Sequence, residues 1–220
     1  MSYSVISHVG TGGSGGNTVT SNSINTTGAD LIVLYVAWYG TSGGVMDATK
    51  ISDSKSNTYT ARPNHGFTAQ GNARIFYCHS PTVGTGHTFT ATDNNTFPAI
   101  FALALSGSTS VPFDVDNGSL TNVPGSITPT ANNEIVITGV YDLNTSSPAT
   151  IDSGMTISDS VLYSAGVVIG GSMAYKIQTT ATAISPTWTG TSITASAIAS
   201  FKGTAPTSTV ATPGSTLLWV

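Results

Sequence analysis

A chain of 220 residues, 39% of them hydrophobic, can bury the core of one large β-sandwich or two small ones. Charged residues make up only 7%, against about 25% in ordinary soluble domains, so contact with water falls to Thr, Ser, Asn and Gly. Six basic residues against ten acidic ones, a net charge of -4, leave no basic stripe for a phosphate backbone and exclude sequence-independent nucleic-acid binding.

Residues 1–16 read as an N-terminal segment with a glycine-rich loop. MSYSVISHVGTGG lacks the charged and apolar regions of a secretory leader. No apolar run approaches the ~20 residues of a membrane helix, so no membrane partner is expected. HVGTGGSGG (8–16) fits two formal patterns: G-x-G-x-x-G through Gly10, Gly12 and Gly15, and G-x-S-x-G through Gly12, Ser14 and Gly16. Dinucleotide binding and a nucleophile elbow both require a helix to begin there. The following NTVTSNSI is β-branched and polar and begins none, so the motif reads as a flexible loop with no cofactor.

No segment carries a sustained i, i+3, i+4 apolar pattern with caps. Short Val, Ile, Thr and aromatic runs bounded by Gly, Asn, Asp and Pro predict strands throughout. Residues 17–111 form a first β repeat. LIVLYVAWY (31–39) is one of the longest apolar runs, and ISDSKSNTYTA (51–61) predicts a hairpin with Lys55, Ser56 and Asn57 at the turn. The single cysteine, Cys78 inside ARIFYC, excludes an internal disulfide framework and reads as a small buried hydrophobe. HTFTATD (87–93) alternates cleanly from His87 through Thr92. FPAIFALALSG (97–107) places Ile100, Ala102 and Ala104 on one face and Phe101, Leu103 and Leu105 on the other, as in a central strand covered on both sides.

Residues 112–203 hold a linker and a second β repeat. The linker, PFDVDNGSLTNVPGS (112–126), contains DVDNG, which shares the opening of a calcium loop but lacks its third ligand and its bidentate glutamate. A turn in which Asp114, Asp116 and Asn117 cap backbone amides is expected there. Four blocks then recur in order. NTTGADLIVLYVAWY (25–39) matches TPTANNEIVITGVYD (128–142), with Asp30 and Glu134 in one slot. ISDS occurs at 51–54 and 157–160, giving Asp53 and Asp159 a shared turn-shaping role, each soon followed by a tyrosine, Tyr59 or Tyr163. GNARIFYCHSPTVGTG (71–86) matches GGSMAYKIQTTATA (170–183), and HTFTATDNNTFPAIFALALSG (87–107) matches TWTGTSITASAIASFKG (187–203). The fold class expected is all-β: a β-sandwich, jelly-roll or Ig-like, built from two sequence-related halves.

Chemical motifs are sparse. His8, His65, His79 and His87 follow no metal spacing, and each reads as a solvent-facing or loop histidine. A glycosidase pair needs two carboxyl groups facing across a cleft. Glu134 is the only glutamate, and its sharing of a slot with Asp30 points to strand-entry geometry. Trp38, Tyr39, Tyr59, Tyr77, Tyr141, Tyr163 and Trp188 would suit a sugar-stacking platform, but they lie mostly inside strands, where core packing is the plainer reading. No catalytic, cofactor or metal residue is assigned.

Residues 204–220 form an extended C-terminal arm, Thr-, Ser- and Pro-rich until it ends on Leu217, Leu218, Trp219 and Val220. Burying that tip contributes about 6–10 kcal/mol gross, less the cost of ordering the tether. The four residues are the partner-binding candidates, docking either on their own body or on a neighbour.

The ordered set GADLIVLYVAW, ISDSKSNTYTA, ARIFYCHSPTVGTGHTFTA, PGSITPTANNEIVITG, IDSGMTISD, AYKIQTTA and IASFK resembles a poorly characterised family of β-rich structural proteins, of similar length, from tailed-phage and environmental bacterial sequences. The resemblance spans about residues 17–203 and implies a virion or cell-surface structural role with no known catalytic residues. The expectation is a non-enzymatic capsid decoration (cement) protein of a bacteriophage virion, made in the host cytoplasm. It would be a homo-oligomer that binds the major capsid protein or other virion subunits through its β body and arm. The alternative is a tail-associated or cell-surface carbohydrate-binding adhesin with a glycan partner.

Overall fold

A strand with apolar side chains on both faces needs cover on both faces, and this chain has several such strands. The computed structural model describes residues 2–13, 16–40, 46–65, 71–92, 96–143, 147–164, 168–190 and 192–205. In chain order the strands are β1 (Ser4–Gly12), β2 (Thr18–Thr20), β3 (Leu31–Tyr39), β4 (Ile51–Asp53), β5 (Thr60–Ala61), β6 (Asn72–His79), β7 (Phe89–Thr92) and β8 (Thr96–Ser106). They continue with β9 (Ser108–Ser119), β10 (Glu134–Leu143), β11 (Thr150–Ile151), β12 (Thr156–Ser164), β13 (Val168–Gln178), β14 (Trp188–Thr189) and β15 (Ile193–Gly203). A 3-10 turn, Ala48–Lys50, stands before β4, capped by the Asp47 carboxylate accepting from Thr49 N.

Two five-stranded sheets dominate, ordered β1-β8-β3-β6-β5 and β12-β13-β10-β15-β9, with antiparallel neighbours throughout. The matched blocks take matched places: β3 and β10 are central, flanked by β8 and β15 on one side and by β6 and β13 on the other. Small sheets cover the outer faces, β2-β7-β4 over the first large sheet and β11-β14 over the second. The molecule is thus four layers deep, two sandwiches set back to back, an all-β architecture as the sequence predicts.

Alternation decides which layer each side chain enters. Leu31, Val33, Tyr35 and Ala37 face the other half, while Ile32, Leu34, Val36 and Trp38 face the small sheet of their own half. In β8 the odd residues Phe101, Leu103 and Leu105 enter the seam, and Ile100, Ala102 and Ala104 turn outward. From the second half, Ile135, Ile137, Tyr141, Ala197, Ala199 and Phe201 complete the seam. Strands stack across it in order: β1 on β12, β8 on β13, β3 on β10 and β6 on β15. This is the aligned mode of sheet packing.

At the centre of the seam the two halves divide their bulk unequally. The Tyr35 ring lies so close to β10 that a Cβ at Gly139 would stand 2.5 Å from it. Tyr141 lies against Gly71, where a Cβ would meet its ring at 2.9 Å. In the repeat alignment Tyr35 matches Gly139, and Ala37 matches Tyr141. A similar exchange occurs outside the seam. Leu34 and Phe89 of the first half are replaced by Thr138 and Trp188, and the buried indole donates to the Thr138 hydroxyl at 3.2 Å.

Four sequence expectations change. His8–Gly12 lie in β1, not in a loop; Gly10 permits close sheet approach, since a Cβ there would sit 2.8 Å from both Asp159 and Phe101. Residues 51–61 turn where expected, with Ser56 at φ 62°, but form no hairpin, because β4 joins the small sheet and β5 the large one. The start of the linker is β9, the edge strand of the second large sheet and the counterpart of β1. The second ISDS, 157–160, lies within β12; the position matching β4 is instead held by β11 and Asp152.

Adding a methyl group at Gly139 overpacks the seam, so Gly139→Ala is expected to destabilise by about 1–3 kcal/mol. The same change in a Tyr35→Ala background should cost much less, and a double-mutant cycle from urea denaturation measures that coupling.

Candidate functional site

Leu217, Leu218, Trp219 and Val220 lie outside the described residues. What the structure does place is the root of the arm. Gly203 N donates to Asn133 O at 2.9 Å, and Thr204 N donates to Gly107 O at 2.7 Å, fixing the exit point at the turn between the halves. Asp30 organises that turn: its carboxylate accepts from Gly107 N at 2.8 Å and from Ser108 N at 3.1 Å. Around the exit lies a depression of about 390 Å³, lined by Ser2, Ser4, Gly28, Asp30, Ser108 and Thr204 among others. Asp30 and Glu134 do share a slot, each opening the central strand of its half.

A buried polar network that the sequence reading missed lies under the small sheet of the first half. Asp53 ends β4, and its carboxylate accepts from Lys55 N, Asn57 N, Asn57 Nδ2 and the Tyr59 hydroxyl, the last at 2.7 Å. His87 Nε2 stands 3.0 Å from Asp53 Oδ2, with both side chains fully buried, while His87 Nδ1 is 2.9 Å from the Thr26 hydroxyl. The His87 ring also stacks on Phe89. Burial acts to raise the Asp53 carboxyl, but the bonds from Tyr59, Asn57 and His87 outweigh it and hold the group below the usual range.

Hydroxyl, imidazole and carboxylate in line have the connectivity of a nucleophile relay. Here the hydroxyl is sealed in: Thr26 is fully buried, donates to Gly84 O and accepts from Gly84 N at 3.1 Å. The arrangement ties the 21–30 and 82–88 segments to the β4 turn. His87 is therefore not the solvent or loop histidine expected. The alternation of HTFTATD carried the signal, because His87 shares parity with the inward Phe89 and Ala91.

The acids of DVDNG are spread along β9 in place of a turn. Asp116 bonds Arg62 Nε at 3.0 Å across the edge of the halves, and the Arg62 guanidinium lies 3.5 Å over the Phe113 ring. Asn117 does accept from Gly118 N, at 2.8 Å. Asp114 accepts from Thr130 N and Thr130 Oγ1, and pairs with Lys202 Nζ at 2.8 Å. Glu134 is fully buried at the entry of β10, where its Oε1 accepts from Ala131 N at 2.9 Å. Burial, and then the Asp114 charge, push the Glu134 carboxyl up; burial of Asp114 is outweighed by Lys202 and Thr130, which bring it down to about 2.

Both carboxyl groups are committed within the fold, Asp114 to Thr130 and Lys202 and Glu134 to Ala131 N. These bonds fasten β9 and β15 to the entry of β10. Among the described residues, no group of three or more His, Cys, Asp or Glu could hold a metal ion.

The remaining candidates are structural. Asp159 bonds His8 Nδ1 at 2.9 Å across the stacked β1 and β12, so it shapes no turn. His65 packs on Gly118, and burial lowers its imidazole. His79 contacts Ser80 at 3.3 Å. Cys78 is a free thiol in the outer core of the first half, pushed up to about 11 by burial and the Asp53 charge. Trp38, Tyr59, Tyr141 and Trp188 are core residues, and Tyr39 and Tyr77 pack against the seam.

Removing a carboxylate that holds buried partners costs far more than removing a half-exposed one. Asp53→Ala is expected to lose about 3–5 kcal/mol and Asp159→Ala less than about 1 kcal/mol, measured by chemical denaturation. The carboxyl pair predicts a pH effect. Because the folded state raises Glu134, its contribution is complete below the unfolded value near 4.5 and fades as pH rises through the folded value. Stability of the chain should therefore decline as pH rises above about 5, and Glu134→Gln, which mimics the protonated acid, should flatten that decline.

No protein-family model matches the chain, and no curated protein matches it.

Proposed function

We propose that the chain is a non-enzymatic structural protein of a tailed-phage virion, a capsid decoration protein that holds neighbouring subunits through its β body and residues 204–220. The observation that carries this reading is the seam. Joining two sandwiches through a continuous buried core makes a stiff body whose outer surfaces are the parts left to meet a partner. The ionisable groups support it: Asp53, His87, Asp114, Glu134 and Lys202 are engaged in bonds that hold segments of the fold together. The burial of Trp38, Tyr59, Tyr141 and Trp188 favours this role over a sugar-stacking adhesin.

The arm supplies the second contact. Its root is pinned beside Gly107, so whatever the tip reaches is held at high local concentration around one end of the body. The test is binding of the purified protein to capsid shells stripped of accessory proteins. Truncation after Ala205 should weaken attachment at least about tenfold, a loss of ~1.4 kcal/mol, while leaving the unfolding midpoint unchanged. Failure of the full chain to bind shells, or capture of a polysaccharide that it turns over, would count against the proposal.

A further inference from the structure

The structure assigns the side of the body formed by β1 and β12 as a sheet-extension surface for a second copy of this chain. Both are terminal strands of the large sheets, each nine residues long and, among the described residues, paired with a strand on one side only. They stack directly on one another, so both open edges face the same way. An open edge is a template for another strand unless the chain protects it.

Protection is stronger elsewhere than here, where each strand has only one bulge near its start. On the opposite side, β5 has two residues, while β9 carries Pro112, Asp114 and Asp116 and breaks register twice. The strands of the small sheets have between two and four residues each. By contrast, SVISHVGTG and TISDSVLYS contain no Lys, Arg, Glu or Pro. Their one acid, Asp159, and one histidine, His8, are bonded to each other and so add no net repulsion at the edge. Each strand has a bulge near its start, between Val5 and Ser7 and between Ile157 and Asp159, after which residues 7–12 and 159–164 run regularly.

The symmetry suits a second copy. A two-fold axis normal to stacked, aligned sheets pairs β1 with its own copy and β12 with its own copy, both antiparallel, in a single self-complementary interface. Ile157 and Leu162, 36% and 40% exposed, pair with Ala174 and Gly170 of β13, so both lie on the outward face of β12. Cross-strand neighbours from the partner's β12 would cover them. This goes beyond the shell-binding proposal and holds without it, because only copies of this chain are required.

Sedimentation equilibrium of the full-length chain tests it. The wild type is expected as a dimer, and Ile157→Lys with Leu162→Lys should halve the mass with the unfolding midpoint retained. Val111→Lys, at a 74% exposed position on the protected β9 edge, should leave the dimer intact. A wild type that stays monomeric at all concentrations overturns the assignment. So does a dimer that survives the double change but dissociates with Val111→Lys or on truncation after Ala205. If the double variant does not fold, hydrogen exchange of the wild type decides: protection of β1 and β12 amides must rise with concentration. Shell binding that fails while the dimer persists would sink the preceding proposal alone.

Discussion

The structure depends on the contact of the Tyr35 ring with the bare backbone of Gly139. Two similar halves packed about an approximate two-fold axis face a geometric conflict. Positions near the axis oppose their own counterparts, so equal residues there would either collide or leave a void. The chain resolves this by dividing bulk unequally, with the Tyr35 ring on one side and no side chain at Gly139 on the other, and Tyr141 likewise lies against Gly71. Close packing then extends outward through Phe101, Leu103 and Phe201 to the strand ends. Each half is thereby fitted to the other and not to itself. The small sheets, the Asp53 network and the arm root all rest on strands that this seam holds in place.

Polar chemistry in the molecule follows from the same arrangement. Strands covered on both faces end in places where backbone amides and carboxylates are drawn out of water, and such groups must find partners. Asp30, Asp53 and Glu134 each stand at one of those strand ends or entries and are met by backbone amides or hydroxyls. A cluster of titratable groups is often a mark of chemistry, but each of these is bonded to segments of its own fold. They serve as fasteners between segments distant in sequence: 53 to 87, 114 to 130 and 202, 62 to 116.

Much of the fold was legible because period-2 patterns and duplicated blocks are long-range signals. FPAIFALALSG declared its two apolar faces, and the matched runs at 31–39 and 134–143 declared two equivalent central strands. Short signals misled. A second ISDS at 157–160 repeats four letters without repeating their place, because β12 has lengthened where the first half has only the two-residue β5. Gly10 suggested a loop, yet glycine also permits close approach of sheets, and composition alone does not separate the two uses. His87 carried its inward parity in plain view but was weighed by residue type. The seam pairing of Tyr35 with Gly139 was not readable at all, since nothing local tells which strand lies across from which.

The internal capture of charge has one further consequence. Arg62 and Lys202 spend their charge on Asp116 and Asp114, and only 7% of the residues are charged, so the surface meets its surroundings mainly through neutral polar and aliphatic groups. Adhesion by threonine, serine and aliphatic contacts is not screened by counterions. An assembly fastened by such a surface would hold equally well in dilute freshwater and in brine, with its grip set by temperature and shape in place of ionic strength.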